Sequence, residues 1–379
     1  MTQTIIGAYG AWAAELAAGK LPELSFRRGE FQDVDAWRRR ARRRVLQCLA
    51  PPQVPKPKKV ETVEALEYDG LDVEWLRWQL PYGPATDAVL LKPGGRPGPL
   101  PGVLGLHCHS GTKYFGKRKI ARWGRPHPLM LQLQQHQYGG RAWANELARR
   151  GYVVLVHDGF GFGSRRVRLA DCTEAVRGDL ADPADDDHQA IAAYDRWAAE
   201  HETILAQALF VASTTWPGAA WAEDRAALDI LAARGEVDAT RLGCAGLSGG
   251  GCRTVFLAGL DQRIRCAVCA GYMATWRGLM LDVPRRRAWI GIVPRLPAEL
   301  DFPEILTLRV PAASMVLNCR QDPLFALESM QAAEGILQEV FAKAGGSDRL
   351  RVNYYDGGHR FDVLMQEDAF DWFDRWLKG

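Results

Sequence analysis

The sequence predicts an α/β fold, a mostly parallel sheet covered by helices on both faces, and two observations carry that prediction. Short apolar runs recur along the chain at residues 103–107 (VLGLH), 152–157 (YVVLVH), 241–246 (RLGCAG), 265–270 (RCAVCA), 313–318 (ASMVLN) and 350–355 (LRVNYY). Stretches with helical spacing of apolar residues separate them. A strand buried on both faces reads as a continuous apolar run, so strands of this kind alternating with helices mean a parallel sheet between two helical layers.

The elements follow in order. Residues from about 8 to 49 are helix-like, and residues 33–50 carry an Asp33 start signal with apolar Val34, Trp37, Val45, Leu46 and Leu49. The arginine run from Arg38 to Arg44 fits the solvated face of a helix packed on a domain better than a surface for anions. Residues 51–59 (PPQVPKPKK) form a stiff linker, so residues 1–59 are a helical extension and residues 60–379 the main domain. Alternating segments over 61–91, broken by the turn signal PYGP, predict antiparallel strands at a sheet edge. Helices are expected over 141–150, 221–234, 250–260, 326–344 and 367–377. Two connections, about 160–216 and 272–305, are too long for simple crossovers. Both leave the carboxyl ends of strands, where such sheets place ligands, so they are expected to fold together as a cap. Phe160, Phe162, Phe210, Trp216, Trp276, Leu279 and Trp289 are its expected wall.

Composition narrows the function classes. With 47% hydrophobic and 25% charged residues, the 379-residue chain is an ordinary globular protein. Its 48 Lys and Arg against 45 Asp and Glu leave a net charge of only +3, too small a field to argue for a nucleic-acid partner. The first 20 residues lack the basic and apolar regions of a signal peptide, and no run of 18 apolar residues occurs. The expectation is a cytoplasmic protein with no membrane partner; whether it forms a homo-oligomer is left open. The eight cysteines lie mostly in apolar patterns and read as reduced thiols. Cys266 and Cys269 form a C-x-x-C, but a strand would turn them to opposite faces.

The chemistry centres on Gly246-Leu247-Ser248-Gly249-Gly250, a G-x-S-x-G between an apolar strand and a helix pattern. That context marks a nucleophile elbow, where a strained turn exposes the serine and Cβ atoms two residues before or after would clash. A serine hydroxyl needs a base, and the base an orienting acid. Asp322 stands just beyond the strand ASMVLN. His359 follows LRVNYY across Asp356-Gly357-Gly358, a turn that can aim an imidazole back at Ser248. Asp356, only three residues from His359, is better placed to cap the turn. The developing oxyanion requires donors. They are expected to be the backbone N–H of Gly249 and, from the loop 107–112, that of His109 in preference to Ser110. His107 and His109 form an H-x-H at a strand end, but no third metal ligand follows, so no metal is expected.

These segments, VLGLHCHSGTK, WANELARRGYVVLVHDGFGFGSRR, WAEDRAALDILAARGEVDATRLGCAGLSGGG and DFPEILTLRVPAASMVLNCRQDPLF, resemble the dienelactone hydrolase and acetyl-xylan-esterase-like branch of the α/β-hydrolase superfamily. The resemblance covers roughly residues 60–379. It implies an eight-stranded, mostly parallel sheet and a Ser248, Asp322, His359 triad working without a cofactor. Dienelactone hydrolases use a Cys nucleophile, so Ser248 shifts the expectation towards ester hydrolysis. The usual His-Gly of the oxyanion loop is His107-Cys108 here.

The expected activity is therefore that of a serine carboxylic-ester hydrolase on a small-molecule ester. A serine peptidase of prolyl-oligopeptidase type would need a larger gating domain than residues 1–59 supply. A catalytically silent binding protein would not need the triad. Basic residues crowd the expected rim: Lys113, Arg165, Arg166, Arg168, Arg253, Arg285, Arg286, Arg287, Arg320 and Arg360. Among them Arg320 and Arg360 are candidate contacts for an acidic substrate, and Trp216 and Trp276 for a sugar ring.

Overall fold

In the computed structural model, which describes residues 6–17, 21–280 and 288–379, nine strands form one sheet. They are β1 (Glu61–Tyr68), β2 (Leu71–Trp78), β3 (Thr86–Pro93), β4 (Leu100–Leu106), β5 (Val153–His157), β6 (Val237–Leu247), β7 (Ile264–Ala270), β8 (Ala313–Cys319) and β9 (Leu350–Tyr355). Their spatial order is β1-β2-β3-β5-β4-β6-β7-β8-β9. From β5 to β9 every neighbouring pair is parallel, whereas β1, β2 and β3 pair antiparallel.

The expected eight strands are corrected to nine, while the antiparallel edge expected over 61–91 is present as β1, β2 and β3. The added strand, β1, is joined to β2 by a two-residue Asp69-Gly70 hairpin, both residues having positive φ, at 51° and 75°. Asp-Gly suits such a turn because its twist matches that of the flanking strands. β1 is mostly exposed, with only Leu66 and Tyr68 packed partly on the core, so its sequence does not separate it from β2 as a strand of its own.

Side chains alternate between two cores, as the two-residue period requires. Leu104, Cys244, Ala267, Cys269 and Val316 meet one helical layer, made by Val34–Leu49, Trp216–Ala232, Gly249–Leu260 and Leu327–Lys343. Val103, Ala245, Cys266, Val268 and Met315 meet the other, made by Trp143–Arg149 and Val363–Phe373. Cys266 and Cys269 thus lie on opposite faces of β7, and burial raises both thiols far from reactive range.

The N-terminal region has two helices, Tyr9–Ala17 and Val34–Leu49, and residues 21–33 before the second are not helical. Asp33 caps the second, its carboxylate accepting from the N–H groups of Asp35 and Ala36. Trp37, Ala41, Val45 and Leu49 are buried in the main core. Arg42 joins them, its Nε donating to the Gly259 carbonyl at 2.8 Å, while Arg39, Arg40 and Arg43 face solvent. No described helix is long and apolar enough to cross a membrane.

Candidate active site

β6 ends at Leu247 and the helix Gly249–Leu260 begins two residues on, so Ser248 occupies the turn between them with φ 58° and ψ −121°. Only the absence of neighbouring side chains permits this. A Cβ on Gly246 would lie 2.7 Å from the Gly250 Cα, and one on Gly250 would lie 2.0 Å from the Leu106 carbonyl oxygen. The Ser248 N–H donates to the Ala270 carbonyl at 2.8 Å, tying the elbow to the end of β7. A non-glycine residue held at positive φ stores strain that its surroundings must sustain, a feature found at functional sites.

The loops after β8 and β9 run side by side: Arg320 N–H donates to the Tyr355 carbonyl at 2.8 Å and Gln321 N–H to that of Gly357 at 3.1 Å. This brings Asp322 and His359 together. Asp322 is 7% exposed, and its Oδ1 accepts from the Leu324 N–H at 2.8 Å while Oδ2 accepts from His359 Nδ1 at 2.6 Å. An ionised carboxylate only accepts, so Nδ1 carries the proton and Nε2 is the free, basic nitrogen. That Nε2 is buried and has no hydrogen-bond partner among the described residues. Gly271 makes room for the ring, since a Cβ there would come within 3.0 Å of both His359 Cε1 and Leu247 Cδ1. Asp356 points elsewhere; its exposed side chain faces Arg320 at 3.7 Å.

The loop after β4 approaches the elbow from the other side. A Cβ on Gly249 would stand 3.0 Å from the His109 backbone nitrogen, so the two expected oxyanion donors are neighbours. Lys119, fully buried, braces the loop by donating from Nζ to the carbonyls of Cys108 at 3.0 Å, His109 at 2.9 Å and Thr112 at 2.7 Å. Burial pulls its ammonium down to about 8. His107 accepts at Nε2 from the Gly159 N–H at 3.0 Å, and burial keeps its ring well below the usual imidazole range.

His109 accepts at Nδ1 from the Gly111 N–H at 3.1 Å, which leaves Nε2 to donate to Glu202 at 3.3 Å. Burial and the nearby Lys113 ammonium lower the His109 ring to about 4. Burial pushes the Glu202 carboxyl up, but the His109 hydrogen bond and the Lys113 charge outweigh it and hold the group at about 2. Lys113 Nζ donates to Glu202 at 3.2 Å and lies over the rings of Phe162 and Trp216.

Ser248, Gly249, His109 and His359 line one cavity of about 430 Å³. Gln137, Tyr272, Leu324 and Phe325 complete its floor and sides, and Ala199, Glu202, Ala288 and Ile290 come from the two long connections. Those connections interlock, with Trp289 Nε1 donating to Thr203 Oγ1 at 3.2 Å and its ring packing edge-on against Phe210. The helix His188–Val211 lends Ala199 and Glu202 to the cavity lining, and its buried stripe Ile191, Tyr194, Ala198, Glu202, Ala206 runs at helical spacing. A glutamate within that stripe was the available signal for Glu202. Nothing local singled out Lys119 or Gln137.

The aromatic wall differs from expectation. Trp216 is 2% exposed and packs with Phe160, Phe162 and Ile290 beside the cavity rather than on its surface. Trp276 and Leu279 sit in the main core; Trp276 Nε1 donates to the Leu300 carbonyl at 2.9 Å and the ring meets Phe302. Neither tryptophan is available to stack on a substrate. The arginines also lie elsewhere. Arg320 faces Asp356, and Arg360 donates to Asp362 at 2.7 Å and to the Asp356 carbonyl at 2.6 Å. Arg165 and Arg253 are buried against Glu223 and Asp224, and Arg166 lies over the Tyr114 ring. Arg168 lines a separate cavity, and Arg285, Arg286 and Arg287 fall outside the described residues.

No family model matches the chain. It is 27% identical over 327 residues to the "Putative hydrolase YtaP" of Bacillus subtilis (strain 168), covering 85% of this chain and 94% of that protein. Among solved structures it is similar to "a putative acetyl xylan esterase" from Bacteroides fragilis NCTC 9343, with TM-score 0.67 and 17% identity over 92% of this chain and 82% of the other. A glucuronoyl esterase from Solibacter usitatus matches with TM-score 0.61 and 16% identity, over 94% of this chain and 98% of the other. With the strand order, the elbow and these likenesses together, the chain has the α/β-hydrolase fold.

Proposed function

We propose that this protein is a serine carboxylic-ester hydrolase in which Ser248 is the nucleophile, His359 the base and Asp322 the orienting acid. One observation carries the reading: the Asp322–His359 pair at 2.6 Å leaves a buried, unpartnered Nε2 in the same cavity as a serine held at positive φ. The relatives with esterase and hydrolase names support the reaction class.

In the proposed cycle His359 Nε2 takes the Ser248 proton as Oγ attacks the ester carbonyl. The resulting oxyanion meets the N–H groups of Gly249 and His109, preorganised donors of the kind that supply much of the rate in acyl transfer. His359 then returns the proton to the departing alkoxide, leaving an acyl-serine. Water, deprotonated by the same nitrogen, attacks the acyl carbon, the bond to Ser248 Oγ breaks as that oxygen takes the proton back from His359, and the acid leaves. Lys119 acts through the loop it braces.

The substrate is proposed to be a small, uncharged ester, carbohydrate-derived as in the named esterases. The ionised Glu202 carboxylate lines the cavity and the candidate arginines do not, so an acidic substrate loses the support it had from sequence. The interlocked cap and the cavity of about 430 Å³ favour a small ligand over a polymer interior. A panel of neutral acetyl, aryl and lactone esters beside a uronate carrying a free carboxylate tests this. Turnover confined to the carboxylate-bearing ester would contradict it.

A further inference from the structure

A second cavity, of about 420 Å³, opens at the opposite end of the sheet, where β7 and β8 begin. It lies between the helix Val34–Leu49 and the strand starts, and Arg38, Arg42, Arg265, Arg309 and Arg349 line it without a single carboxylate. β7 carries the chain from Ile264 at this cavity to Ala270 beside Ser248, roughly 20 Å at the usual strand rise. The cycle proposed for Ser248 uses none of these arginines.

Their charges are poorly compensated. Arg309, 4% exposed, satisfies its guanidinium with neutral groups: Nη2 donates to the Ile264 carbonyl at 2.9 Å and Nη1 to Ser314 Oγ at 2.6 Å. Its Nε has no partner among the described residues. Arg42, 8% exposed, spends Nε on the Gly259 carbonyl, and its Nη1 has no partner among the described residues either. Of the nearest carboxylates, Asp35 pairs with Arg38 alone, and Asp261 is engaged by Arg263, outside the cavity. Arg265 and Arg349 are exposed, so a ligand can reach them, and the Arg349 guanidinium lies over the Trp376 ring that forms one wall. Burying cations side by side is unfavourable unless an opposite charge offsets it. A multiply charged anion does so, and planar guanidinium groups match phosphoryl oxygens two at a time.

We propose that this cavity is a binding site for a phosphorylated small molecule, held through a phosphoryl or diphosphoryl group by Arg265 and Arg349 over the half-buried Arg38 and the buried Arg42 and Arg309. The site joins the N-terminal helix to the sheet, so its occupant ties the extension to the domain.

Isothermal titration of the full-length protein with inorganic pyrophosphate, and separately with ADP, tests the proposal. Saturable binding of one pyrophosphate per chain is expected. Arg265→Ala and Arg349→Ala, both at exposed side chains, should each weaken it about tenfold, the equivalent of one charge-assisted contact. Thermal melting in the absence of ligand checks that both variants fold, and added pyrophosphate should raise the melting temperature of the native protein more than theirs. ADP binding as tightly as pyrophosphate assigns the phosphoryl group to an organic ligand; pyrophosphate binding alone assigns it to the free inorganic ion. Absence of saturation by about 1 mM, or affinity unchanged in both variants, would overturn the proposal.

Discussion

Asp322 Oδ2 accepts a hydrogen bond from His359 Nδ1 at 2.6 Å across two loops that are 37 residues apart in sequence. The contact exists because β8 and β9 are parallel neighbours whose pairing continues past their ends through Arg320 to Tyr355 and Gln321 to Gly357. Two carboxylates precede His359 closely enough to compete for it, and the fold delivers only one.

Asp322→Asn should keep the packing but lower kcat by roughly 10³- to 10⁴-fold, because an amide stabilises neither the imidazolium nor the correct tautomer. Asp356→Asn should change kcat less than about threefold, since its carboxylate faces Arg320 in solvent. Steady-state kinetics of the two variants on one ester substrate decide the matter, and a reversed order would reassign the acid.

Gly271→Ala tests the space reserved for the base. The added methyl would lie 3.0 Å from His359 Cε1, at a φ of 58° that alanine tolerates poorly. We expect kcat to fall about 100-fold with KM little changed, as for a catalytic group moved by about an ångström. Native activity in a well-folded Gly271→Ala protein would show that the imidazole does not need its present place.

Much of this was legible in the sequence because it depends on local chemistry. The elbow declares itself by three glycines around one serine, and the parallel strands by unbroken apolar runs. What was not legible depends on tertiary partners. Arg165 and Arg253 looked like rim cations, but Glu223 and Asp224, adjacent on the helix Trp216–Ala232, neutralise them in the interior. Trp276 looked like a cap aromatic, yet its indole N–H finds the Leu300 carbonyl and its ring stays in the core. The edge strands over 61–91 were legible as alternating segments, but their number was not, because β1 is mostly exposed and only Leu66 and Tyr68 pack partly on the core.

Glu202 gives a pH prediction. Its folded carboxyl titrates near 2 against an ordinary 4.5, so between these values the unfolded chain binds more protons. The stabilisation is present above pH 4.5 and is lost as the pH falls towards 2. It is worth on the order of 3 kcal/mol at neutral pH. Glu202→Gln should accordingly melt below the native protein at pH 7, and the gap should close on acidification. A constant gap from pH 7 to pH 3 would remove the ion pair from the account.

The same substitution probes selectivity. With the carboxylate gone, kcat/KM for an anionic ester should rise relative to its neutral analogue by about tenfold, one removed like-charge repulsion. An unchanged ratio would mean that Glu202 does not face the bound acyl group.

The central claim is that Ser248 is an activated nucleophile, and covalent labelling by a fluorophosphonate, read by mass spectrometry of the intact and digested protein, tests it most directly. The account predicts one adduct per chain, on Ser248, with ester hydrolysis lost in step. It predicts no adduct on Ser248→Ala, whose kcat should fall by roughly 10³-fold or more while its melting temperature is kept. Hydrolysis by Ser248→Ala at near-native rate, or a native protein that remains unlabelled, would contradict it.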